Sequence, residues 1–335
     1  MTIKDLSAQT GYSVGTISRV LNNQPNVSQK ARETILQAAS DCGFQLNANA
    51  KQLKQQHGNS ILVVVKGTHN ELFGSLVETI QRRIAETTYP LVVDYLDEAE
   101  NEVRRAVQMC LEKKPLGILF LGGNRENFLA DFSKIHVPCV LVTNDASGFP
   151  FPNLSSVSSD DTLAGRMAVE HLISLGHRKI AVISGDRTNS DIGRLRFEGC
   201  LAAFREHNVE FDPNRDSETI RYSFSEGYKA AQKLLQRDRE YTGLFAMSDV
   251  MAIGAIRGLR DAGKRVPEDV SVVGLDGLLI DEFTVPRLTS ISQSVEDLAN
   301  RSFQLLLEHI EDHRAARYEV LPVSLAVRES VRKID

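Results

Sequence analysis

The sequence predicts an all-α helix-turn-helix head followed by an α/β body of two doubly wound parallel-sheet lobes. Three observations carry this prediction. Residues 1–45 contain three short amphipathic helix patterns separated by turn residues. From Ser60 onward, near-continuous apolar runs alternate with helix-length segments, which is typical of parallel sheets covered on both faces. The alternation begins again after residues 146–154, a loop rich in Pro, Ser, Gly and Phe, and this restart predicts a second lobe.

The head is delimited by residues that start and stop helices. Thr2 opens a capping-box pattern for the first helix, and Gly11 supplies the turn that follows it. Ser13 can cap a second helix, and Ser28 can cap a third that ends at Gly43. Two short helices joined by a turn and crossed by a third helix form a helix-turn-helix unit.

Residues 44–58 differ in character from both neighbours. The segment FQLNANAKQLKQQHG is polar and has too few bulky apolar residues for a packed helix. It is typical of a linker that becomes helical when something supports it.

The body alternates predicted strands with predicted helices. The predicted strands are residues 61–65, 91–95, 117–121, 139–143, 179–183, 243–247 and 271–275. The predicted helices include residues 72–87, 161–175, 194–207, 226–237 and 249–262. Two wound units in series predict a cleft between two lobes, and ligands of such sheets bind beyond the carboxyl ends of the strands.

Composition and motifs favour a cytoplasmic protein without a metal or cofactor. The chain has 335 residues, of which 42% are hydrophobic and 25% charged, as in soluble proteins of two or three domains. The start MTIKDLSAQT lacks the apolar core of a signal peptide, and no run approaches the about 18 apolar residues of a membrane span. The cysteines are expected to be small buried residues of a reducing compartment; they are Cys42, Cys110, Cys139 and Cys200.

Charge is distributed unevenly between head and body. Residues 1–57 carry six Lys and Arg against three Asp and Glu, a net charge of +3, within a chain whose net charge is −5. The remaining residues therefore carry −8. A basic head on an acidic body is the asymmetry expected when one end of a protein meets DNA.

Long motifs distributed over the chain resemble those of the lactose/galactose-repressor (LacI/GalR) family of bacterial transcription regulators. In the head, the similar segment is TIKDLSAQTGYSVGTISRVLN at 2–22. In the body, the similar segments are VSSDDTLAGRMAVEHLISLGHRKIAVISG at 157–185, RLRFEG at 194–199, SDVMAIGAI at 248–256, VPEDVSVVGLDG at 266–277, PRLTSISQ at 286–293 and LPVSLAVRES at 321–330. The resemblance covers essentially the whole chain in order.

The resemblance implies a homodimeric repressor whose heads bind a pseudo-palindromic operator. It also implies a body like periplasmic sugar-binding proteins, which the chain crosses three times. The implied domains are a helix-turn-helix head at 1–45, a hinge helix or linker at 46–58, an effector-binding N-lobe at 59–157 plus 290–320, and a C-lobe at 158–289 plus 321–335. Only VRKID follows Ser330, so we expect a dimer without a tetramerising tail.

The second helix of such a head enters the major groove of DNA. The resemblance places Val14, Gly15 and Arg19 at base edges, where the Arg19 guanidinium can bond a guanine. Short polar residues suited to phosphate contacts surround them, namely Ser13, Thr16, Ser18 and Asn22. The alternative for Arg19 is an ordinary solvated helix surface.

The linker is similar to the family's hinge helix, which folds in the minor groove. Leu53 then resembles the wedge leucine that opens a central base step, with Asn47, Ala50 and Lys51 nearby. The motif usually has Pro where this chain has Leu46, which affects where the hinge helix starts. The alternative for Leu53 is an isolated exposed leucine.

The resemblance also implies a set of effector-binding residues in the cleft. Asp276 matches an aspartate that accepts hydroxyl hydrogen bonds, and Arg196 matches a binding arginine. The remaining matches are Tyr222 as a stacking aromatic, Phe73 at the cleft mouth, and Ser248 where the family often has Asn. The neighbouring Asp249 is expected to be a helix N-cap.

Lys66 departs from the family pattern, which commonly has Pro or Asp after the first strand. A cation there favours an anionic effector such as a phosphorylated or acidic sugar, particularly if Arg187 lies beside it. The alternative is a lysine whose ammonium group reaches solvent.

Two other classes of protein are disfavoured. A secreted sugar-binding protein would lack the DNA-binding head. An enzyme is disfavoured because no GxGxxG, P-loop or GxSxG motif occurs, and the adjacent Asp160 and Asp161 precede a helix, where carboxylates stabilise the N-terminus. The expected mechanism is allosteric: an effector, which the resemblance implies is sugar-like, changes the angle between the lobes and thereby operator affinity.

Overall fold

The computed structural model describes residues 3–21, 27–42, 58–68, 70–188 and 190–334. Contacts divide the chain into two units, Met1–Gly58 and Asn59–Asp335. Several sequence predictions lie outside the described residues: those for Thr2, Asn22, Gly43, Leu46, Asn47, Ala50, Lys51 and Leu53.

The first unit contains the three expected helices, α1 Ile3–Thr10, α2 Val14–Leu21 and α3 Gln29–Asp41. The predicted caps form, since the Ser13 hydroxyl accepts a hydrogen bond from the Thr16 amide at 3.2 Å and the Ser28 hydroxyl accepts one from Ala31 at 3.3 Å. The buried side chains Leu6, Ile17, Val20, Ile35 and Ala39 form the shared core. The helix-turn-helix prediction is confirmed.

The first sheet of the second unit has six strands in the order β11-β5-β4-β3-β1-β2, and every described pair is parallel. Its strands are β1 Ile61–Lys66, β2 Leu91–Leu96, β3 Gly117–Leu121, β4 Cys139–Thr143, β5 Leu154–Ser159 and β11 Tyr318–Leu321. The helices of this lobe are α4 Glu71–Ile84, α5 Glu102–Lys113, α6 Arg125–Asp131 and α12 Val295–Glu311, with a 3₁₀ turn at Phe132–Lys134.

The second sheet also has six strands, in the order β12-β10-β9-β8-β6-β7. Its strands are β6 Ile180–Ser184, β7 Ser217–Thr219, β8 Gly243–Ala246, β9 Ser271–Asp276, β10 Thr289–Gln293 and β12 Val323–Ala326. The helices of this lobe are α7 Asp161–Ser174, α8 Asp191–Glu206, α9 Pro213–Asp216, α10 Phe224–Leu235 and α11 Asp249–Asp261, with a 3₁₀ turn at Leu279–Glu282. The predicted parallel sheet is therefore confirmed, except that the edge strand β12 is antiparallel to β10.

The chain crosses between the sheets after β5, after β10 and between β11 and β12. The expected boundary at 290 falls inside β10, which pairs with β9 in the second sheet, so the second crossing lies at Ser294. The expected boundary at 157 similarly falls inside β5, which extends to Ser159. Both strands are largely buried but rich in serine. Because of this polar composition they do not form apolar runs in the sequence, and the pattern of apolar runs did not predict them.

Helices α7 and α8 contact each other through glycines. A Cβ atom on Gly165 would lie 2.0 Å from the carbonyl oxygen of Arg196, and one on Gly199 would lie 2.0 Å from that of Thr162. Only glycine permits backbones to approach this closely. This contact brings the start of α7 next to Arg196.

Candidate functional site

The second helix of the head presents one buried and one exposed face. Ile17 and Val20 are buried in the head core, which turns Val14, Gly15 and Arg19 outward, and all three are exposed. Val14 is 41% exposed although it is apolar. Ser13 and Thr16 lie at the same helix start, with their hydroxyl oxygens 2.9 Å apart. Val14, Gly15 and Arg19 therefore lie on the exposed side of α2, and Ser13 and Thr16 lie at its start.

A buried ion pair connects two of the predicted effector residues. The Arg196 guanidinium donates from Nε to Asp161 Oδ1 at 2.7 Å and from Nη1 to the Met247 carbonyl at 2.6 Å. Its Nη2 lies 3.9 Å from Asp276 Oδ1. Asp276 is the last residue of β9, at the carboxyl edge of the second sheet. Arg196 and Asp276 are each 4% exposed.

Two carboxyl groups compete for one guanidinium in this cluster. Burial raises the pKa values of both Asp161 and Asp276, and Arg196 opposes that rise. Burial alone would lower the pKa of Arg196, but the two carboxyl groups raise it above its ordinary value. The cluster therefore contains one permanent cation, which two buried acids share.

The aromatic residues Tyr222 and Phe73 pack against glycines on opposite lobes. Tyr222 contacts Gly185, where an added Cβ would lie 2.3 Å from the phenol oxygen, and the Phe73 ring lies against Gly122. The Tyr222 hydroxyl is buried without a hydrogen-bond partner among the described residues, and burial raises its pKa to about 12. A buried unpaired hydroxyl is a candidate partner for a ligand.

Ser248, and not Asp249, caps α11. Ser248 is the N-cap of α11, because its hydroxyl accepts a hydrogen bond from the Met251 amide at 3.3 Å. The prediction that Asp249 is the N-cap is therefore wrong. Asp249 instead accepts hydrogen bonds from the amides of Gly277 at 2.7 Å and Leu278 at 3.0 Å, and thereby holds the loop that follows Asp276.

Lys66 is held inside its own lobe. Its ammonium nitrogen lies 2.6 Å from Glu102 Oε2 and also contacts the Glu100 carbonyl. Glu102 is completely buried. The Arg187 guanidinium lies 4.1 Å from the centre of the Phe197 ring. Lys66 and Arg187 therefore engage different partners. Lys66 is ion-paired rather than freely solvated, with 14% of its side chain exposed, and it supplies the counter-charge that buried Glu102 requires.

A second acid pair, which sequence reasoning missed, lies beneath the loop after β9. The Asp281 and Asp249 side chains are both fully buried and act on each other electrostatically, and neither carboxyl oxygen of Asp281 has a hydrogen-bond partner among the described residues. Two buried carboxyl groups that act on each other are unfavourable when both are ionised, so one of them tends to keep its proton. Burial and the neighbouring Asp249 accordingly raise the pKa of Asp281.

This acid pair predicts an unusual pH dependence of stability. A raised pKa means that folded Asp281 retains a proton that the unfolded chain has released. Its contribution to stability is full below about pH 4 and is lost as pH rises through the folded pKa. We expect Asp281→Asn, which keeps a donor at every pH, to raise the melting temperature at pH 9 and to flatten its decline between pH 5 and 9. Thermal unfolding measures both, with Asp238→Asn on the surface as the control; an unchanged slope in Asp281→Asn would contradict the assignment.

The structure brings together only part of the predicted effector set. Arg196, Asp276 and Tyr222 share one electrostatic environment. Sequence reasoning missed two residues that touch this group, Asp161 and Gln293, whose amide donates to Asp276 Oδ1 at 2.8 Å. Gln293 is the last residue of the PRLTSISQ segment, and Asp161 lies in the VSSDDT segment. The spacing of residues in the sequence does not identify the side chain that either residue contacts.

The described residues hold no candidate metal site and no membrane-spanning helix. No three His, Cys, Asp or Glu side chains in these ranges are grouped so as to bind a metal ion. No helix in the same ranges is long and apolar enough to cross a bilayer.

Comparison with known proteins gives matches over both units. Residues 2–47 match the description "Bacterial regulatory proteins, lacI family", and residues 169–331 match a periplasmic binding protein-like domain. The HTH-type transcriptional regulator MalR of Clostridium butyricum is 33% identical, over 98% of this chain and 99% of that protein. Catabolite control protein A of Priestia megaterium is 29% identical, over 99% of each.

Two solved structures illustrate the similarity of fold. A complex of the transcriptional regulator CelR with cellobiose is 28% identical, covers 98% of this chain and 99% of its own, and has a TM-score of 0.71. The lac repressor dimer bound to operator and the anti-inducer ONPF is 26% identical, covers 99% of each chain, and has a TM-score of 0.80.

Proposed function

We propose, because this chain belongs to the LacI family of bacterial regulatory proteins, that it is a repressor controlled by a neutral saccharide or a close derivative. The chain is a DNA-binding transcription regulator, like its full-length relatives, and not an enzyme. The effector would bind in the cleft between the lobes and change the affinity of the head for its operator in the cytoplasm. The single observation that carries this proposal is the buried cluster of Arg196 and Asp276 at the carboxyl edge of the second sheet.

This cluster suits a ligand that offers hydroxyl groups. Gln293 and Arg196 both lie beside Asp276 Oδ1. The remaining lone pairs of the Asp276 carboxylate can accept further hydrogen bonds. The unpaired Tyr222 hydroxyl can donate one hydrogen bond and accept another. Phe73 and Ser248 would complete the site from either lobe. The cellobiose bound by the similar regulator CelR belongs to the same chemical class.

The charges of the cleft argue against an anionic effector. Arg196 is held by Asp161 and the Met247 carbonyl, and Lys66 is held by Glu102. Arg187 stacks on Phe197. Desolvating a phosphate or carboxylate is costly unless a cation pairs with it, and two of these cations, Arg196 and Lys66, are already paired with buried carboxyl groups.

The proposed homodimer would form through the loop after β9. Leu279 and Phe283 are 77% and 76% exposed, and Val285 in the same loop is 73% exposed. Contiguous exposed apolar residues on soluble proteins mark surfaces that bind another protein. A second copy is the proposed partner, because the similar lac repressor was solved as a dimer on its operator.

The proposed DNA contacts follow the arrangement of the head. Val14, Gly15 and Arg19 would read base edges in the major groove, and Ser13, Thr16, Ser18 and Asn22 would contact phosphates. Leu53, with Asn47, Ala50 and Lys51, would act in the minor groove from a hinge at 46–58, following a head at 1–45. We place the N-lobe at 59–159 plus 294–321 and the C-lobe at 160–293 plus 322–335.

Arg19→Ala tests the DNA-reading role directly. The operator would be selected from a random duplex library with the wild-type protein, and binding would be followed by fluorescence anisotropy. We expect affinity to fall by about 5- to 150-fold and discrimination at one base pair per half-site to relax, because a bidentate guanine contact is lost. Gln37→Ala, on the exposed face of α3, is the matched control. Unchanged discrimination in Arg19→Ala would exclude this residue as a base reader.

A further inference from the structure

We propose that Gln293 is a positioning residue, which holds Asp276 for effector binding and couples an occupied cleft to the second crossing between the lobes. The inference rests on the proposed function, because it concerns the same cleft. It arises from a continuous chain of buried polar contacts. Asp161 pairs with Arg196, Arg196 faces Asp276, and Gln293 donates to Asp276.

Both ends of this polar chain lie at crossings between the lobes. Asp161 is the first residue of α7 and follows β5 of the first sheet by two residues. Gln293 is the last residue of β10 in the second sheet, and Ser294 caps α12. Helix α12 packs against α4 and against β3, β4 and β5 of the first lobe. A shift of the Gln293 side chain therefore acts on the segment that joins the two lobes.

The Gln293 amide has a specific task in this setting. It is 3% exposed and lies 2.8 Å from Asp276 Oδ1. Asp276 has a φ of 135°, a backbone conformation that side-chain-bearing residues rarely adopt. A buried carboxyl group in a strained backbone needs donors that fix its orientation. Arg196 Nη2 is 3.9 Å away, beyond hydrogen-bonding distance, so the amide is the donor that orients Oδ1.

Effector binding would reach the crossing through this hydrogen bond. Ligand hydroxyls that donate to the Asp276 carboxylate reduce the negative charge available to the amide and draw the carboxylate toward the cleft. Gln293 must then move with Asp276 or lose its acceptor. In either case the end of β10 and the start of α12 respond, and the relative position of the lobes changes with them.

The test compares one substitution whose effect should not depend on pH with another whose effect should. Gln293→Ala removes the donor at every pH. Gln293→Glu places a second carboxyl group against Asp276, which can donate the same hydrogen bond only while it is protonated. The other titratable or charged groups that act on Asp276 are Arg196, Asp161, Asp249, Asp281 and Tyr222. These groups are common to all variants, so each variant is compared with the wild type at the same pH.

Binding would be measured by titration calorimetry on the full chain at pH 6 and pH 9. The probes are D-glucose, D-galactose, D-fructose, D-ribose, maltose, cellobiose and lactose. We expect Gln293→Ala to weaken binding of the responding sugar about tenfold at both pH values. We expect Gln293→Glu to weaken it about tenfold at pH 9 and to return to within about threefold of the wild type at pH 6. Gln304→Ala, on the exposed face of α12, should leave binding unchanged.

Hydrogen exchange supplies the second readout. In the wild type, the bound sugar should alter exchange of the amides of residues 294–298, and in Gln293→Ala this alteration should disappear. Wild-type affinity in Gln293→Ala, or a Gln293→Glu defect that is the same at both pH values, overturns the positioning role. If Asp276→Ala abolishes sugar binding while the Gln293 variants bind normally, only this inference fails. If no sugar binds the wild type, the saccharide proposal fails and this inference fails with it.

Discussion

Replacing Arg196 with alanine is expected to lower the free energy of unfolding by about 3–5 kcal/mol, because it leaves buried carboxyl groups without their cation. Asp161 is within 2.7 Å of Arg196, and Asp276 is within 3.9 Å. Both carboxyl groups are buried, so water cannot replace the guanidinium. Removal of Arg196 should also abolish effector binding, since Asp276 then loses its counter-charge.

The matched control for this substitution is Arg194→Ala, two residues away on the same helix. Arg194 pairs with Asp191 and Glu198, but its side chain is 46% exposed. Exposed pairs of this kind contribute about 0.2–1 kcal/mol. Urea denaturation at pH 7 measures both variants. Similar small losses in the two variants would contradict the assignment of Arg196 as the buried centre of the site.

Phe283→Asp is expected to convert the protein to a monomer and to weaken operator binding by about 100-fold or more. Phe283 is 76% exposed, so the substitution should leave the fold intact while placing a charge in the proposed dimer surface. Two heads on one operator bind far more tightly than one, because the second contact is intramolecular. Analytical ultracentrifugation and fluorescence anisotropy on the selected operator measure the two effects.

Leu111→Asp is the control for Phe283→Asp. Leu111 is 77% exposed on α5 of the first lobe, outside the loop after β9. It should remain dimeric and bind operator normally. A dimeric Phe283→Asp protein would place the interface elsewhere on the molecule.

The alternation of apolar runs and amphipathic segments was sufficient to predict the two-lobed fold, because buried parallel strands are apolar on both faces. It missed β5, β7, β10, β11 and β12. Of these, β5 and β10 have the sequences LSSVSS and TSISQ, which are largely buried but carry serine. Some serine hydroxyls in these strands have long-range partners: Ser290 Oγ donates to Asp249 Oδ1, and Ser155 Oγ accepts from the Arg317 amide. Such partners are distant in sequence, so local patterns cannot reveal them.

The sequence motifs predicted which residues belong to the candidate site, but they did not predict which side chains contact one another there. Arg196 and Asp276 were expected separately, and the structure places them together. The partners of Lys66 and Asp281 were not foreseen, because Glu102 and Asp249 come from other elements of the chain. The charge of a cleft depends on which groups are already neutralised, and this requires three-dimensional contacts.

The most direct test of the central claim is operator affinity measured with and without saccharides. The wild-type chain and Asp276→Ala would be titrated onto the selected operator by fluorescence anisotropy, at fixed salt, in the presence of each neutral sugar and of glucose 6-phosphate. We predict that one neutral sugar changes wild-type affinity by about 5- to 150-fold and leaves Asp276→Ala unaffected. A shift caused only by the sugar phosphate, or an equal shift in Asp276→Ala, would contradict a neutral effector bound at this cleft.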